Sequence, residues 1–184
     1  IQALQGSDYG EKRAAIEALG KMGEKASAAV PALIQVLQDS NSSYVREHAI
    51  KSLGQIGEKA SAAIPALIQV FQDPDSRDVR QCTTEALGKM GEKAIPALLQ
   101  ALQDSNYGVK RNAIVALGQI GEKASAAIPA LIQALQDSYR RYVRELAIEA
   151  LGKTGEKAIP ALIQALQNSD VDVRRWAIGI LGEV

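Results

Sequence analysis

The sequence predicts an all-α fold, a right-handed α-solenoid of about five and a half stacked helix pairs. The tetrapeptide Gly-Glu-Lys-Ala recurs at near-regular intervals along the 184 residues, and each copy is followed by two segments whose apolar residues have helical spacing. A single helix pair cannot bury its own apolar side, whereas stacked pairs bury a continuous core. The copies begin at Gly23, Gly57, Gly91, Gly121 and Gly155.

Composition limits the classes of function. The chain has 21 basic and 21 acidic residues, so it lacks the basic excess typical of proteins that bind nucleic acids or anionic membranes. His48 is the single histidine and Cys82 the single cysteine, which argues against an internal disulfide, a histidine-rich metal site and any mechanism that needs two histidines. No apolar run is long enough to span a bilayer, and the amino terminus does not resemble a signal peptide. We therefore expect a soluble, cytoplasmic protein that is not an enzyme and that holds no cofactor or metal.

The first half of each repeat predicts a helix. After Gly-Glu-Lys-Ala, each copy reaches a Pro-Ala-Leu segment, the first of them at Pro31. Val30, Leu33 and Leu37 follow the spacing of one helical face. Proline is tolerated near a helix start because the amide hydrogen that it lacks would have no partner there.

The second half of each repeat predicts another helix. Val45, Ala49 and Leu53 recur at helical spacing, after a turn rich in Asp, Ser and Asn whose side-chain oxygens are able to cap a helix. The glycine of each Gly-Glu-Lys-Ala falls where this helix should end, a position that favours the left-handed conformation. Another glycine, such as Gly54, lies one turn earlier. Glycine there costs about 1 kcal/mol relative to alanine, so we expect a neighbouring backbone to pass close to it.

The repeat pattern also sets the boundaries. We interpret residues 1–184 as one domain with repeats at about 1–22 (partial), 23–56, 57–90, 91–120, 121–154 and 155–184. Three repeats carry an additional Ser-Ala-Ala after Gly-Glu-Lys-Ala, close to one helical turn, which predicts a longer connection at the same edge. The sequence opens within a first helix and shows no polar capping repeat at either end. We therefore expect a piece of a longer array, with uncapped ends able to associate end to end.

The string Asp-x(n)-Val-Arg-x-x-Ala-x-x-x-Leu-Gly resembles HEAT-like repeats, particularly the short bacterial type named after phycobilisome lyases. Clear copies run from Asp39 to Gly54 and from Asp137 to Gly152, and the resemblance covers essentially the whole chain. The tryptophan and tyrosine signature of tetratricopeptide repeats and the Thr-Pro-Leu-His of ankyrin repeats are not found.

In such families, the turn aspartate and the helix arginine form a ladder that ties successive repeats together. The resemblance implies this structural role for Asp39, Arg46, Asp73, Arg80, Asp104, Lys110, Asp137, Arg144 and Arg174. Lys110 cannot make the forked contact of an arginine, and Asn168 replaces the acid in the last repeat.

Positions that differ between the repeats predict a partner-binding surface, because positions that hold the fold should repeat. The most variable columns lie on the second helices, about one turn apart, and the resemblance implies that these helices line the concave side of the array. The predicted partner contacts are Tyr44, His48, Lys51, Asp78, Glu85, Arg111, Asn112, Tyr142, Leu146, Glu149 and Trp176. Tyrosine and tryptophan often carry binding energy at interfaces. A second interpretation of Leu146 and Trp176 is that they pack against a neighbouring repeat.

These features predict a scaffold that binds another protein. An accessory subunit of a bilin lyase-type system for chromophore attachment is an alternative that rests on the resemblance. Nucleic-acid binding is disfavoured by the mixed charge of the variable columns. We interpret His48 and Cys82 as variable residues on neighbouring helices, because a nucleophile needs a base within hydrogen-bond reach and a third group that orients the base.

Overall fold

The computed structural model describes residues 2–6, 8–72, 77–136 and 141–183. Regular structure in these residues is helical throughout, and no strand occurs among them. The chain divides into two compact units, Ile1–Ala97 and Leu98–Val184, with the boundary inside one helix.

Each repeat consists of a first helix and a second helix, as predicted. The first helices are α1 (Gln2–Gln5), α3 (Val30–Asp39), α5 (Ile64–Val70), α7 (Ile95–Ala101), α9 (Ile128–Leu135) and α11 (Ile159–Ala165). The second helices are α2 (Tyr9–Met22), α4 (Ser43–Ile56), α6 (Arg77–Lys89), α8 (Tyr107–Ile120), α10 (Arg141–Lys153) and α12 (Val171–Leu181).

The apolar columns of both helices form the core of each unit. Leu33 and Leu131 from first helices and Leu53, Leu87 and Leu117 from second helices are all 0% exposed. In the first unit α4 packs on α2, α3 and α6, and in the second unit α10 packs on α8, α9 and α12. Within each unit, these helices therefore bury their apolar sides against their neighbours, which is the stacking that the periodicity predicted.

A 3₁₀ segment leads from each second helix into the next first helix. It is long at Gly23–Ala29, Gly57–Ala63 and Gly121–Ala127, and short at Gly91–Ala94 and Gly155–Ala158. Since a 3₁₀ helix has about three residues per turn, the additional Ser-Ala-Ala has the length of about one turn. The segments from Gly57 and Gly121 have non-helical backbone angles at Ala60 and Ala124. This confirms the predicted longer connection.

The ends of the second helices follow the sequence prediction with one correction. Side chains of Asp8, Ser42, Asn106 and Asp170 accept hydrogen bonds from backbone amides in the first turn, as capping residues do. At the other end, Gly57 has φ 67° and ψ −138°. The positive φ is as predicted, but the conformation is the mirror image of the β region, not the left-handed helical one. Glycine is required even more strictly here, because other residues rarely adopt this region.

Candidate interaction surface

The second helices place the variable columns of successive repeats side by side within each unit. In the first unit, α4 lies between α2 and α6. In the second unit, α10 lies between α8 and α12. Side chains one turn apart on one helix therefore adjoin the corresponding side chains of the next second helix, and each unit carries its own part of the predicted surface.

Most of the predicted partner residues reach solvent. Tyr44 and Tyr142 are each 49% exposed, a large fraction for an aromatic side chain. The charged residues Lys51, Asp78, Glu85 and Glu149 are exposed, and His48, Arg111, Leu146 and Trp176 are half-buried. These side chains are therefore accessible to a partner to different extents.

Tyr44 is the centre of a polar cluster in the first unit. Its hydroxyl accepts a hydrogen bond of 3.1 Å from Nη1 of Arg13 on α2. Glu17, one turn further along α2, lies 3.4 Å from Nε of Arg13 and 3.3 Å from Nε2 of His48. The cluster thus links α2 to α4 through an arginine, a carboxylate and a histidine.

His48 packs against Tyr44 on the same helix. The two ring centroids are 4.3 Å apart, and Nδ1 of His48 lies 2.9 Å from the backbone oxygen of Tyr44. Because a carbonyl oxygen only accepts, Nδ1 carries a proton in this bond. Nε2 then faces the Glu17 carboxylate, and the contact becomes an ion pair when the ring is doubly protonated.

The remaining polar residues of the first unit form local pairs. Lys51 donates to Glu47 on the same helix, and this hydrogen bond raises the pKa of Lys51. Burial raises the pKa of the Cys82 thiol, an effect that the Lys51 ammonium opposes. A buried thiol that keeps its proton is a poor nucleophile, which supports the interpretation of Cys82 as a packing residue.

The second unit stacks arginine on aromatic rings between neighbouring second helices. The guanidinium carbon of Arg111 on α8 lies 5.8 Å from the ring centroid of Tyr142 on α10. The guanidinium carbon of Arg144 on α10 lies 5.2 Å from that of Trp176 on α12. Trp176 therefore packs against a neighbouring repeat, in line with its second interpretation, while part of its surface remains exposed. Such contacts stabilise the position of both partners.

Asn112 requires a correction. It is 6% exposed, so its side chain is not available to a partner in this structure. Cys82, in the same column of the repeat, is 8% exposed. In α6 and α8 the residue of this column is buried, whereas in α4 and α10 the corresponding residues His48 and Leu146 are half-buried. Variation between repeats at this column thus reflects packing as well as exposure.

The predicted ladder residues have different environments. Nη1 of Arg174 donates to the backbone oxygens of Asn168 and Ser169, which belong to the turn of its own repeat. Oδ1 of Asp104 accepts from the backbone amide of Asn106, also within one turn. Arg46, Arg80, Lys110 and Arg144 are half-buried and Asp39 is exposed. Asp73 and Asp137 lie outside the described residues, so the ladder between repeats stays a prediction.

Arg13 belongs to this surface although it was not among the predicted partner contacts. It contacts both Tyr44 and Glu17, and it occupies the same column as Arg111, which was predicted. The recurrence of Tyr-Gly-x-Lys-Arg at residues 9–13 and 107–111 could have indicated it.

Within the described ranges, no group of three or more His, Cys, Asp or Glu side chains is arranged to hold a metal ion. A membrane-crossing helix is also not found among these residues, since none is both long and apolar enough.

Comparisons with known proteins agree with the helix-pair architecture. A family model described as HEAT repeats matches residues 1–88, 64–152 and 128–184, which together span the sequence. None of the curated proteins matches the chain.

Several solved structures have a related fold. A structure on microtubule plus end tracking by XMAP215, CLIP-170 and EB1 has a TM-score of 0.70 and 18% identity, and the match covers 99% of this chain and 88% of that chain. Computationally designed armadillo repeat proteins for modular peptide recognition have a TM-score of 0.53 and 21% identity, with 99% and 97% covered. The complex of CpcE and CpcF of phycocyanin lyase from a Nostoc species has a TM-score of 0.52 and 22% identity, with 84% and 98% covered. At these identities the likeness shows the fold, an α-solenoid of helical repeats, and nothing further.

Proposed function

The chain belongs to the HEAT repeat family, and from this premise we propose that it is a scaffold that binds another protein through the exposed residues of its second helices. One observation carries the proposal. Tyr44 and Tyr142 occupy the same column in two repeats, are each 49% exposed, and are each contacted by an arginine from the preceding second helix.

Exposed, positioned tyrosines favour binding over a purely structural role. A tyrosine offers a large apolar face and a hydroxyl while losing little conformational entropy when a partner covers it. Arg13 and Arg111 restrict these rings further, so part of the entropic cost of association is already met in the free protein. Burial in the core explains neither ring, because half of each lies in solvent.

The charge of the surface favours a protein partner over a nucleic acid. Lys51 lies among acidic residues, and Asp78, Glu85 and Glu149 are all exposed on second helices. A phosphate backbone would meet repulsion at several of these positions. Retention of a labelled nucleic acid on a filter at low salt would contradict this part of the proposal.

The structural neighbours support the proposal at the level of the fold. One was designed for modular peptide recognition, and another is a complex of two proteins. Helical-repeat frames of this kind are thus used to hold protein partners. The partner of this chain does not follow from them.

The experiment compares the capture of partner proteins by immobilised variants. Combining Tyr142→Ala with Leu146→Ala removes two accessible side chains of α10. Truncation of an anchor residue costs about 2 kcal/mol or more, about thirtyfold in Kd, so we expect the captured partner to be lost. Gln133→Ala on the first helix α9 is the matched control, because Gln133 is also exposed but lies outside the proposed surface.

The result is interpreted only for variants that melt at the wild-type temperature. If capture survives both this double substitution and Tyr44→Ala, the second helices are not the binding surface. The bilin lyase-type alternative predicts a covalent chromophore adduct on a co-expressed phycobiliprotein, which a protein-binding scaffold does not.

A further inference from the structure

The two units carry the same arginine–tyrosine pair. Residues 9–13 read Tyr-Gly-Glu-Lys-Arg and residues 107–111 read Tyr-Gly-Val-Lys-Arg, and Tyr-Val-Arg-Glu occurs at both 44–47 and 142–145. In the structure, this recurrence places Arg13 against Tyr44 in the first unit and Arg111 against Tyr142 in the second. Each unit therefore presents one copy of the pair.

The side chains around the two pairs differ in charge. In the first unit, Glu17 lies 3.4 Å from Nε of Arg13 and 3.3 Å from Nε2 of His48. At the corresponding positions of the second unit stand Val115 and Leu146, both half-buried. The first arginine thus has a carboxylate partner within the protein, whereas the corresponding positions near the second hold aliphatic residues.

The cation of Arg111 has no carboxylate partner within the described residues 98–136 and 141–183 of its unit. The two glutamates of α10 are engaged elsewhere, since Glu145 pairs with Arg141 at 2.7 Å and Glu149 pairs with Lys153 at 2.6 Å. Nε of Arg111 is in addition buried without a hydrogen-bond partner. A half-buried guanidinium that has no carboxylate partner attracts an anion more strongly than one already paired.

We propose that Arg111 and Tyr142, with Val115 and Leu146 beside them, bind an acidic side chain and an adjacent aliphatic side chain of the partner protein, and that Glu17 closes the equivalent site of the first unit to the same ligand. This rests on the proposed function, and it adds the chemistry of the partner. The guanidinium and the tyrosine hydroxyl donate to the carboxylate, while the valine and leucine contact the aliphatic group.

The probe is a fluorescein-labelled peptide of alternating glutamate and leucine, titrated at low ionic strength so that screening is weak. Its counterparts carry glutamine or lysine in place of glutamate. We expect the glutamate peptide to bind most tightly and the lysine peptide least. Equal binding of all three peptides, or no binding of the glutamate peptide, overturns the proposal.

Variants of the second unit identify the site. Arg111→Met keeps the length of the side chain and removes the charge, and it should weaken binding of the glutamate peptide by about tenfold or more, as expected for a lost charge-assisted bond. Val115→Glu introduces the carboxylate of the first unit and should weaken binding to a similar extent. Val115→Gln, of the same size but neutral, is its control and should have the smaller effect.

A reciprocal double variant tests whether Glu17 blocks the equivalent site of the first unit. Combining Glu17→Val with His48→Leu gives the first unit the side chains of the second, so the number of peptides bound per chain in a calorimetric titration should double. An unchanged stoichiometry overturns the closure by Glu17. This variant and Arg111→Met also decide the matter if Val115→Glu does not fold.

The outcome separates this inference from the proposed function. If the Tyr142→Ala, Leu146→Ala variant no longer captures the natural partner, but Arg111→Met binds the glutamate peptide as tightly as wild type, the scaffold proposal stands and the acidic ligand is rejected. If capture of the natural partner is unchanged by the substitutions at Tyr44, Tyr142 and Leu146, the proposed scaffold surface itself is rejected.

Discussion

Gly54 of α4 lies directly against the backbone of Ala86 of α6. A Cβ atom placed on Gly54 would be 2.9 Å from the Cα atom of Ala86 and 3.0 Å from its Cβ atom, shorter than real Cβ contacts. Two second helices of the first unit therefore approach each other so closely that there is no room for a side chain at Gly54. Gly152 occupies the same column in α10, and among the described residues nothing lies within 4 Å of a Cβ atom placed there.

Alanine at these two glycines should have opposite effects. Gly54→Ala forces α4 and α6 apart, and overpacking of this kind costs about 1–3 kcal/mol, more than the gain in helix propensity. Gly152→Ala meets no obstacle and should stabilise the protein by up to about 1 kcal/mol. Urea denaturation of both variants measures the difference. A stabilised Gly54 variant would contradict the close approach of the two helices.

The glycine that ends each second helix should tolerate no side chain, for a different reason. Gly121 has φ 65° and ψ −136°, and a non-glycine residue held in a sparsely populated backbone region costs about 1–3 kcal/mol. We expect Gly121→Ala to lower the free energy of unfolding by this amount. Gly182→Ala is the control, because Gly182 has φ −79° and should stay within about 0.5 kcal/mol of wild type. Equal effects of the two substitutions would contradict the strain argument.

Much of the helical architecture could be predicted from the sequence because each repeat shows the same pattern of apolar residues and glycines. The apolar spacing around Leu33 and Leu53 predicted two helices per repeat, and both side chains are fully buried. The recurrent glycine of the last helical turn predicted a close backbone, which Gly54 and Gly118 confirm and Gly152 does not. Each of these inferences depends on contacts that the neighbouring repeat supplies in the same form.

The interaction surface could be predicted less well from the sequence, because its contacts depend on side chains that differ between the repeats. Asn112 varies between repeats as an exposed residue would, yet it is 6% exposed. The placement of Arg111 over Tyr142 and of Arg144 over Trp176 depends on the offset between neighbouring second helices. Helical spacing fixes which face a residue lies on, but it does not fix which side chain of the next helix it meets.

The thiol of Cys82 should react slowly with alkylating reagents. Burial raises its pKa, so at a given pH the native state holds less of the reactive thiolate than the unfolded state does. We expect the rate of reaction with iodoacetamide to be lower in buffer than in concentrated urea at the same pH. Equal rates would show that the thiol is as accessible and as acidic as in the unfolded chain.

The same shift predicts the pH dependence of stability. Because the pKa of Cys82 is higher in the folded state, the thiol contributes its full stabilisation below the unfolded pKa, and this contribution is lost as the pH rises beyond it. The free energy of unfolding of wild type should therefore fall more steeply in alkaline solution than that of Cys82→Ala. The difference between the two curves reports the thiol together with its coulombic interaction with Lys51.

The long 3₁₀ segments should be removable by whole turns. Deleting residues 125–127 leaves Gly-Glu-Lys-Ala-Ile-Pro-Ala-Leu, a string that the chain already contains from Gly155. In the copy from Gly155 this string leads to Leu162, which is 0% exposed, so Leu131, also 0% exposed, should keep its direction towards the core. The deletion mainly loses the burial of one alanine side chain, about 1 kcal/mol. Cooperative unfolding with nearly unchanged helicity is the expected result.

Deleting residues 125 and 126 alone is the matched control. It shortens the chain less, but it rotates the entry into α9 by about two-thirds of a turn. Leu131 would then turn away from the core, and the loss of one buried leucine costs about 2–5 kcal/mol. The smaller deletion should therefore destabilise the protein more than the larger one in urea denaturation. If the three-residue deletion lowered the free energy of unfolding more than the two-residue deletion, the segment would set the distance between the helices and not the rotation of α9 about its own axis.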